Sequence, residues 1–126
     1  MASLVLTGDT SGQVTLAAPA VAGTTTLTLP ASTGNVLVDV ARSIATNGYL
    51  TLSDGLIIQW GTGSANTTGV TNTFPIAFPT ACRVVVALNT NQTNPPAPSV
   101  DTFTTTSFRA IVNAGGPTIN YIALGN

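Results

Sequence analysis

The fold class is indicated by residues 49–60, which read YLTLSDGLIIQW. Two apolar runs of strand length flank the short polar stretch Ser53-Asp54-Gly55, and an Asp-Gly pair between such runs is a strong signal of a β-hairpin turn. Glycine accepts the positive φ that a tight turn requires, and aspartate bonds to nearby backbone groups. The stretch therefore predicts two antiparallel strands joined by a turn.

The same pattern of short strands separated by turn residues extends in both directions. On the N-terminal side, apolar residues of period two lie at Leu4, Leu6, Val14, Leu16, Leu27 and Leu29. On the C-terminal side we expect strands at 82–88, 102–113 and 118–124, of which the first is apolar on both faces and is expected to be buried on both sides. The prolines of 74–79 exclude that segment from a sheet interior. The sequence therefore predicts an all-β fold.

One segment favours a helix. Its apolar residues have the spacing i, i+3, i+4, i+7 at Leu37, Val40, Ala41 and Ile44. Asp39 fits a helix N-cap, and Asn47-Gly48 fits a C-terminal stop. A continued strand or an irregular neck is the alternative, because so short a helix is marginal by itself.

The composition excludes several classes of function. Charged residues make up 6% of the chain, against about 25% in an ordinary domain. There is no Lys, Glu or His, so a Ser–His–Asp or Cys–His nucleophile and a Schiff-base lysine are absent. The single cysteine, Cys82, and four dispersed aspartates form no zinc motif. We predict a protein that is not an enzyme and holds no cofactor or metal.

The charge balance also limits the partners. The formal net charge of −1 gives no basic surface for nucleic acid, and no apolar run approaches the ~20 residues that cross a membrane. Threonine, serine, asparagine and glycine take the place of charge at the surface, which is a poor composition for a soluble free monomer. The main expected partner is therefore another copy of the chain or a larger assembly.

The aromatic residues divide the chain at residues 47 and 48. All of them lie in 48–126, and residues 1–47 rely on small and aliphatic side chains that cannot bury enough area alone. We predict an N-terminal arm (1–47) for attachment and trimerisation, which intertwines with other copies through Leu4, Leu6, Val14 and Leu16. The remainder (48–126) is predicted to be a small antiparallel β-sandwich, with a core of Leu50, Leu52, Ile57, Trp60, Phe74, Phe78, Val84, Val86, Phe108, Ile111 and Tyr121.

The charged residues are predicted to be structural. Asp54 and Asp101 are the residues that a glycosidase pair would use, but Asp54 fits the backbone role of an Asp-Gly turn, so a glycan-cleaving spike is disfavoured. We expect Arg83 and Arg109, which lie within strand patterns, to be paired with an aspartate or stacked on aromatic rings, because lone buried charges are costly. A contact with a ligand or partner is the alternative for these two. Arg42 is also expected to be a structural charge.

The candidate binding region is the long loop 89–98. Its amide side chains offer both donors and acceptors to a hydroxyl-rich ligand, and loops of this length are usually functional or mobile. A solvated loop that binds nothing is the alternative. The residues that we select are Asn89, Thr90, Asn91, Gln92, Thr93 and Asn94.

Several stretches resemble bacteriophage structural proteins. Residues 11–19 and 22–31 resemble a segment common in phage tail-fibre and other virion proteins. The C-terminal half resembles the tip domain of phage tail fibres at 47–49 (NGY), 56–61 (LIIQWG), 74–79 (FPIAFP) with Cys82 shortly after, and 121–125 (YIALG). This resemblance implies a homotrimer with a distal β-sandwich on the virion surface, and no enzyme activity.

Two placements on the particle remain. The chain starts at Met1 and shows no shaft or tail-attachment region, so we expect a trimer that decorates the capsid as a cement protein and has the major capsid protein as a partner. The alternative is a short tail-fibre tip that binds a host-cell receptor, a surface glycan. Both placements put the protein on the virion surface after synthesis in the bacterial host cytoplasm.

Overall fold

The structure is a computed structural model that describes residues 3–8, 10–21, 23–24, 26, 31–90 and 97–126. The described residues form β-strands and no helix, so the predicted all-β class is confirmed, and no helix in these ranges is long and apolar enough to span a membrane. The strands are β1 (Ser3–Thr7), β2 (Gln13–Ala17), β3 (Asp39–Ser43), β4 (Gly48–Leu52), β5 (Ile57–Ser64), β6 (Val70–Thr73), β7 (Cys82–Thr90), β8 (Ser99–Phe103), β9 (Ser107–Ile111) and β10 (Thr118–Gly125).

The first compact unit, Met1–Gly34, contains a two-stranded hairpin. β1 and β2 are antiparallel, and the Gly8 amide donates to the Gly12 carbonyl across their turn at 3.1 Å. The cross-strand partners Leu4–Leu16 and Leu6–Val14 place four apolar side chains on one face, and all four are exposed. The other predicted strand of this region, at Leu27 and Leu29, lies outside the described residues.

The second compact unit, Asn35–Asn126, is built from two antiparallel sheets. We call this unit the knob. One sheet has the order β3-β4-β5-β10-β7, and the other has the order β6-β9-β8. The unit begins before the boundary that we placed at 47 and 48, because β3 pairs with β4 and so belongs to the knob.

The core of the knob lies between its two sheets and is largely aromatic. Phe108 of β9 lies 4.7 Å from Tyr121 of β10 and 5.5 Å from Phe74, measured between ring centroids. Phe78 meets Phe74 edge to face at 5.1 Å. These four residues and Ile57 are buried, as predicted. Leu50, Leu52, Trp60 and Ile111 are only half-buried, and Val84 and Val86 are exposed.

The predicted helix at 39–47 is wrong, because its first half is strand β3. β3 pairs with β4, with an irregularity between Asp39 and Ala41. The helical spacing of Val40 and Ile44 buries nothing, since both side chains are largely exposed. Backbone pairing with β4 therefore outweighs a local periodicity that has no apolar surface to cover.

The expectation that residues 82–88 are buried on both sides is also wrong. Val85 and Ala87 pack toward the core, whereas Val84, Val86 and Leu88 are 39%, 50% and 65% exposed. β7 is an edge strand of the five-stranded sheet, and within the knob the described residues leave the other side of this sheet uncovered. We call that side the outer face.

The proline-containing segment 74–79 is outside the sheets, as predicted, and a buried glutamine holds it. Gln59 is 0% exposed. Its amide nitrogen donates to the Ile76 carbonyl, and its amide oxygen accepts from the Ile76 N–H, both at 3.0 Å. The side chain thus replaces a strand as the partner of the Ile76 backbone.

Candidate functional site: the loop end of the knob

Three connections of the knob leave its sheets at the same end. Ser64, Thr90 and Thr118 are paired neighbours at one end of the five-stranded sheet. In the three-stranded sheet, Ser99 faces Ile111 at the corresponding end. The connections that begin or end here are 65–69, 112–117 and 91–98, and of the last only 97–98 is described. We call the described connections at this end the loop end.

The chain enters the knob at the opposite end. The Val38 carbonyl accepts from the Ser53 amide at 3.0 Å, and the Ser53 hydroxyl accepts from the Val38 amide at 3.2 Å. Ser53 lies in the turn between β4 and β5. β5 begins after this turn at Ile57, which pairs with Gly125 near the C-terminus. The loop end therefore lies far from both the entry of the chain into the knob and Asn126.

The 65–69 connection is held by an asparagine turn. The Asn66 side-chain oxygen accepts from the Thr68 amide at 3.0 Å and from the Thr68 hydroxyl at 3.1 Å. The Asn66 carbonyl also accepts from the Val112 amide at 3.1 Å, and the Ala65 amide donates to the Pro117 carbonyl at 3.1 Å. Two loops of the loop end are thus braced against each other by backbone bonds.

An arginine ties the same loop to the three-stranded sheet. The Arg109 Nη2 atom lies 3.2 Å from the Thr68 carbonyl and 3.2 Å from Asp101 Oδ2. Gly69 lies directly against the guanidinium group with a φ of +86°, so a side chain at this position would both strain the backbone and collide with the arginine. Arg109 thus positions the Thr68–Gly69 backbone.

A shallow groove of about 410 Å³ lies at the loop end. Its lining combines hydroxyl and amide groups with aliphatic side chains, and none of the lining residues is charged. These residues are Thr67, Ala97, Ser99, Ile111, Val112 and Asn113. The volume falls within the range of roughly 300–1,000 Å³ that is usual for small-molecule sites. Polar groups beside apolar side chains suit an uncharged ligand that has hydroxyl groups and C–H surface.

The selected loop residues reach this region only in part. Asn89 and Thr90 belong to β7, and the Thr90 hydroxyl donates to the Thr118 carbonyl at 3.3 Å. The other four, Asn91, Gln92, Thr93 and Asn94, lie outside the described residues. Sequence reasoning missed Thr67, Ser99 and Asn113, because turn composition shows that a loop exists and not which loops share an end.

The other charged residues of the described ranges do not line the groove. Arg42 pairs with Asp39 at 3.1 Å, and Arg83 Nε donates to the Asn126 side-chain oxygen at 3.0 Å. Asp54 accepts from the Leu56 amide at 3.0 Å, which is the turn role that we expected for it. No group of three His, Cys, Asp or Glu residues suited to a metal ion occurs among the described positions.

Comparisons with known proteins relate most of the chain to tail fibres. The profile of the family described as "tail fiber protein gp53-like, C-terminal" matches residues 51–126. The protein StfP of Escherichia coli (strain K12) is 39% identical over 83 residues, which are 59% of this chain and 39% of StfP. The chain therefore spans about two fifths of the length of this curated relative.

Solved pyocin fibres share the architecture. An N-truncated R2-type pyocin tail fiber, whose source is P. aeruginosa, has a TM-score of 0.64 at 25% identity, with 75% of this chain and 39% of that chain covered. An N-truncated R1-type pyocin tail fiber has a TM-score of 0.58 at 25% identity, with 74% and 88% covered.

Proposed function

The chain belongs to the family of gp53-like tail fiber C-terminal domains, and from that premise we propose that it forms the tip of a phage tail fibre and binds a receptor on the host-cell surface. Tail fibres are structural components of the particle surface, and they are typically homotrimers. The proposed partners are therefore two further copies of the chain and a host receptor.

Capsid decoration, which we preferred from the sequence, is not supported. That preference rested on the start of the chain at Met1 and on the lack of a visible shaft, neither of which places a protein on the head. The family and the similar structures are tail fibres, so they favour the alternative placement. The major capsid protein is accordingly dropped as a partner.

The position of the loop end is the observation that carries the receptor proposal. Residues before 39 join the knob at the end opposite the loop end, through the Val38–Ser53 backbone bond. In a fibre whose preceding segments lead toward the particle, the loop end then points away from it. The groove of uncharged polar residues at this end favours a neutral surface glycan as the receptor.

Trimerisation of the N-terminal arm remains part of the proposal. A two-stranded hairpin is marginally stable alone, and the hairpin formed by β1 and β2 exposes all four of Leu4, Leu6, Val14 and Leu16 on one face. Contact with the same hairpin of other copies would cover these side chains. No catalytic role is proposed, because the family is structural.

A cell-binding assay tests the receptor proposal. Fluorescent full-length protein is mixed with bacteria that the parent particle infects, and we expect binding that periodate oxidation of the cell surface abolishes and protease treatment does not. Binding that resists periodate and is lost after protease treatment would contradict a glycan receptor. No binding to untreated cells would contradict the tip function itself.

Matched substitutions test the location of the site. Thr67→Arg and Asn113→Arg place a large charged group in the groove at exposed positions, so we expect at least tenfold weaker cell binding. Thr73→Arg is the control, because Thr73 is also exposed but lies at the end of β6 away from the groove. Equal loss in all three variants would contradict a site at the loop end.

A further inference from the structure

Two adjacent rows on the outer face of the five-stranded sheet form a continuous apolar surface. Strand register aligns Trp60, Ile122 and Val86 in one row across β5, β10 and β7, and it aligns Ile58, Leu124 and Val84 in the next row. Within the knob these side chains are half-buried or exposed, with Ile122 at 46% and Val86 at 50% exposure. Leu88, one step further along β7, is 65% exposed.

These two rows offer no free polar group to a partner. The one polar atom in them, the Trp60 indole nitrogen, already donates to the Ala45 carbonyl at 3.2 Å. The charged groups near the face lie at its margins and have partners of their own: Arg42 pairs with Asp39, and Arg83 bonds to Asn126. Asp54, which lies near Val84 and Leu124, accepts from the Leu56 amide. A surface of this kind binds another apolar surface rather than a polar or charged ligand.

The outer face is large enough for part of an interface. Strands are about 4.8 Å apart and same-face residues about 6.7 Å apart, so the two apolar rows, which Gly48 and Leu50 extend to a fourth strand, span roughly 260 Å². The largest apolar patch of a typical monomer covers about 300–600 Å² and is often functional. A standard interface buries about 800 Å² on each partner, so this face supplies about a third of one and needs further contacts elsewhere.

We propose that the outer face packs against the outer faces of other copies of this chain. The inference rests on the proposed trimer and assigns a knob surface to it, in addition to the hairpin. A second copy is the partner that fits best, because it presents an apolar face of equal size at equal concentration. The net charge of −1 per chain also gives almost no repulsion between copies.

The arrangement has a consequence for receptor binding. Copies related by a rotation axis are equivalent, so with the strands running along that axis every loop end points in the same direction. Three weak receptor contacts then act together, and the second and third occur at high effective concentration.

Charge placed on the outer face tests the inference in the full-length chain. Leu88→Asp and Ile122→Asp alter exposed positions, so the isolated chain is expected to fold with an unchanged circular dichroism spectrum. In an apolar contact each new carboxylate would be buried without a partner. Light scattering at micromolar concentration is expected to give three chains per particle for the unaltered protein and one for both variants.

The control is Phe103→Asp. Phe103 is 46% exposed, equal to Ile122, but lies in β8 of the other sheet. We expect this variant to remain trimeric. If Leu88→Asp and Ile122→Asp also stay trimeric, the outer face is not the contact, while receptor binding and the hairpin contact stand. If the unaltered protein is monomeric, the proposed trimer is wrong together with this inference. If the control dissociates as the others do, the effect is not specific to the face.

Discussion

Gln59 holds the middle of segment 74–79 through its side chain. It is fully buried, and its amide makes two 3.0 Å bonds to the Ile76 backbone. Gln59→Leu keeps a similar size but leaves the Ile76 N–H and C=O without partners, so we expect a loss of about 2–3 kcal/mol in the free energy of unfolding. Urea denaturation measures this loss.

Gln13 provides the matched control for Gln59. It is the other described glutamine, and it is exposed in β2. We expect Gln13→Leu to change the free energy of unfolding of the knob by less than about 0.5 kcal/mol. A cost at Gln59 no larger than the cost at Gln13 would mean that the two bonds contribute nothing to stability.

Tyr121 and Cys82 make the stability of the knob sensitive to alkaline pH. Burial raises the pKa of Tyr121 and of Cys82, and a backbone hydrogen bond at Val84 partly offsets the effect for the thiol. The unfolded chain therefore loses each proton at a lower pH than the folded chain. The stability gained from keeping the thiol neutral is present in full below about pH 8.5, and that gained from the neutral phenol is present in full below about pH 10. Each contribution is lost as the pH rises through the pKa that the group has in the folded protein.

Two variants separate these contributions. We expect the unfolding temperature to fall between pH 8 and 11. Cys82→Ala is expected to remove the decrease at the lower end of this pH range, and Tyr121→Phe the decrease at the upper end. At pH 7, Tyr121→Phe is expected to change stability by less than about 0.5 kcal/mol, because the hydroxyl has no hydrogen-bond partner among the described residues. An unfolding temperature independent of pH up to 11 would contradict this account.

The secondary-structure elements show which parts of the fold can be predicted from the sequence. The hairpin predicted from 49–60 is present as β4 and β5, because turn chemistry and strand composition agree there. The helix at 39–47 and the two-sided burial of β7 failed for a common reason. Periodicity reports which side chains share a face, and it does not report whether another element covers that face.

The candidate site was only partly predictable for a related reason. The loop 89–98 was selected by its length and amides, which are local features, but Asn89 and Thr90 belong to β7 and residues 91–96 lie outside the described ranges. Thr67, Ser99 and Asn113 come together only through the pairing of β5 with β10 and of β8 with β9. That pairing joins residues distant in sequence, and no local pattern encodes it.

The hairpin of β1 and β2 gives a prediction at the scale of an element. Leu6→Asp puts a charge on the apolar face, whereas Thr7→Asp puts one on the opposite face of the same strand. Burying an unpaired charge opposes association, so Leu6→Asp is expected to weaken the trimer at least tenfold, about 1.4 kcal/mol, and Thr7→Asp to have little effect. Sedimentation velocity over a concentration series distinguishes them, and equal behaviour of the two variants would exclude the Leu6 face as a contact.

For the whole molecule, a role at the fibre tip and a role on the head predict opposite defects. Particles without this chain are expected to withstand heating as well as intact particles but to adsorb at least tenfold more slowly. Asn91, Gln92 and Asn94 provide a finer test, because their joint replacement by Ala is expected to reduce adsorption if the 89–98 loop contacts the receptor. Particles that adsorb normally but break on mild heating would favour a stabilising role instead.

The position of the chain on the particle is the most direct test of the central claim. Gold-labelled antibodies raised against the purified protein are applied to intact particles and viewed by electron microscopy. A tail-fibre tip predicts gold at the ends of the tail fibres, far from the head. Gold distributed over the head surface, with none on the tail, would contradict the account.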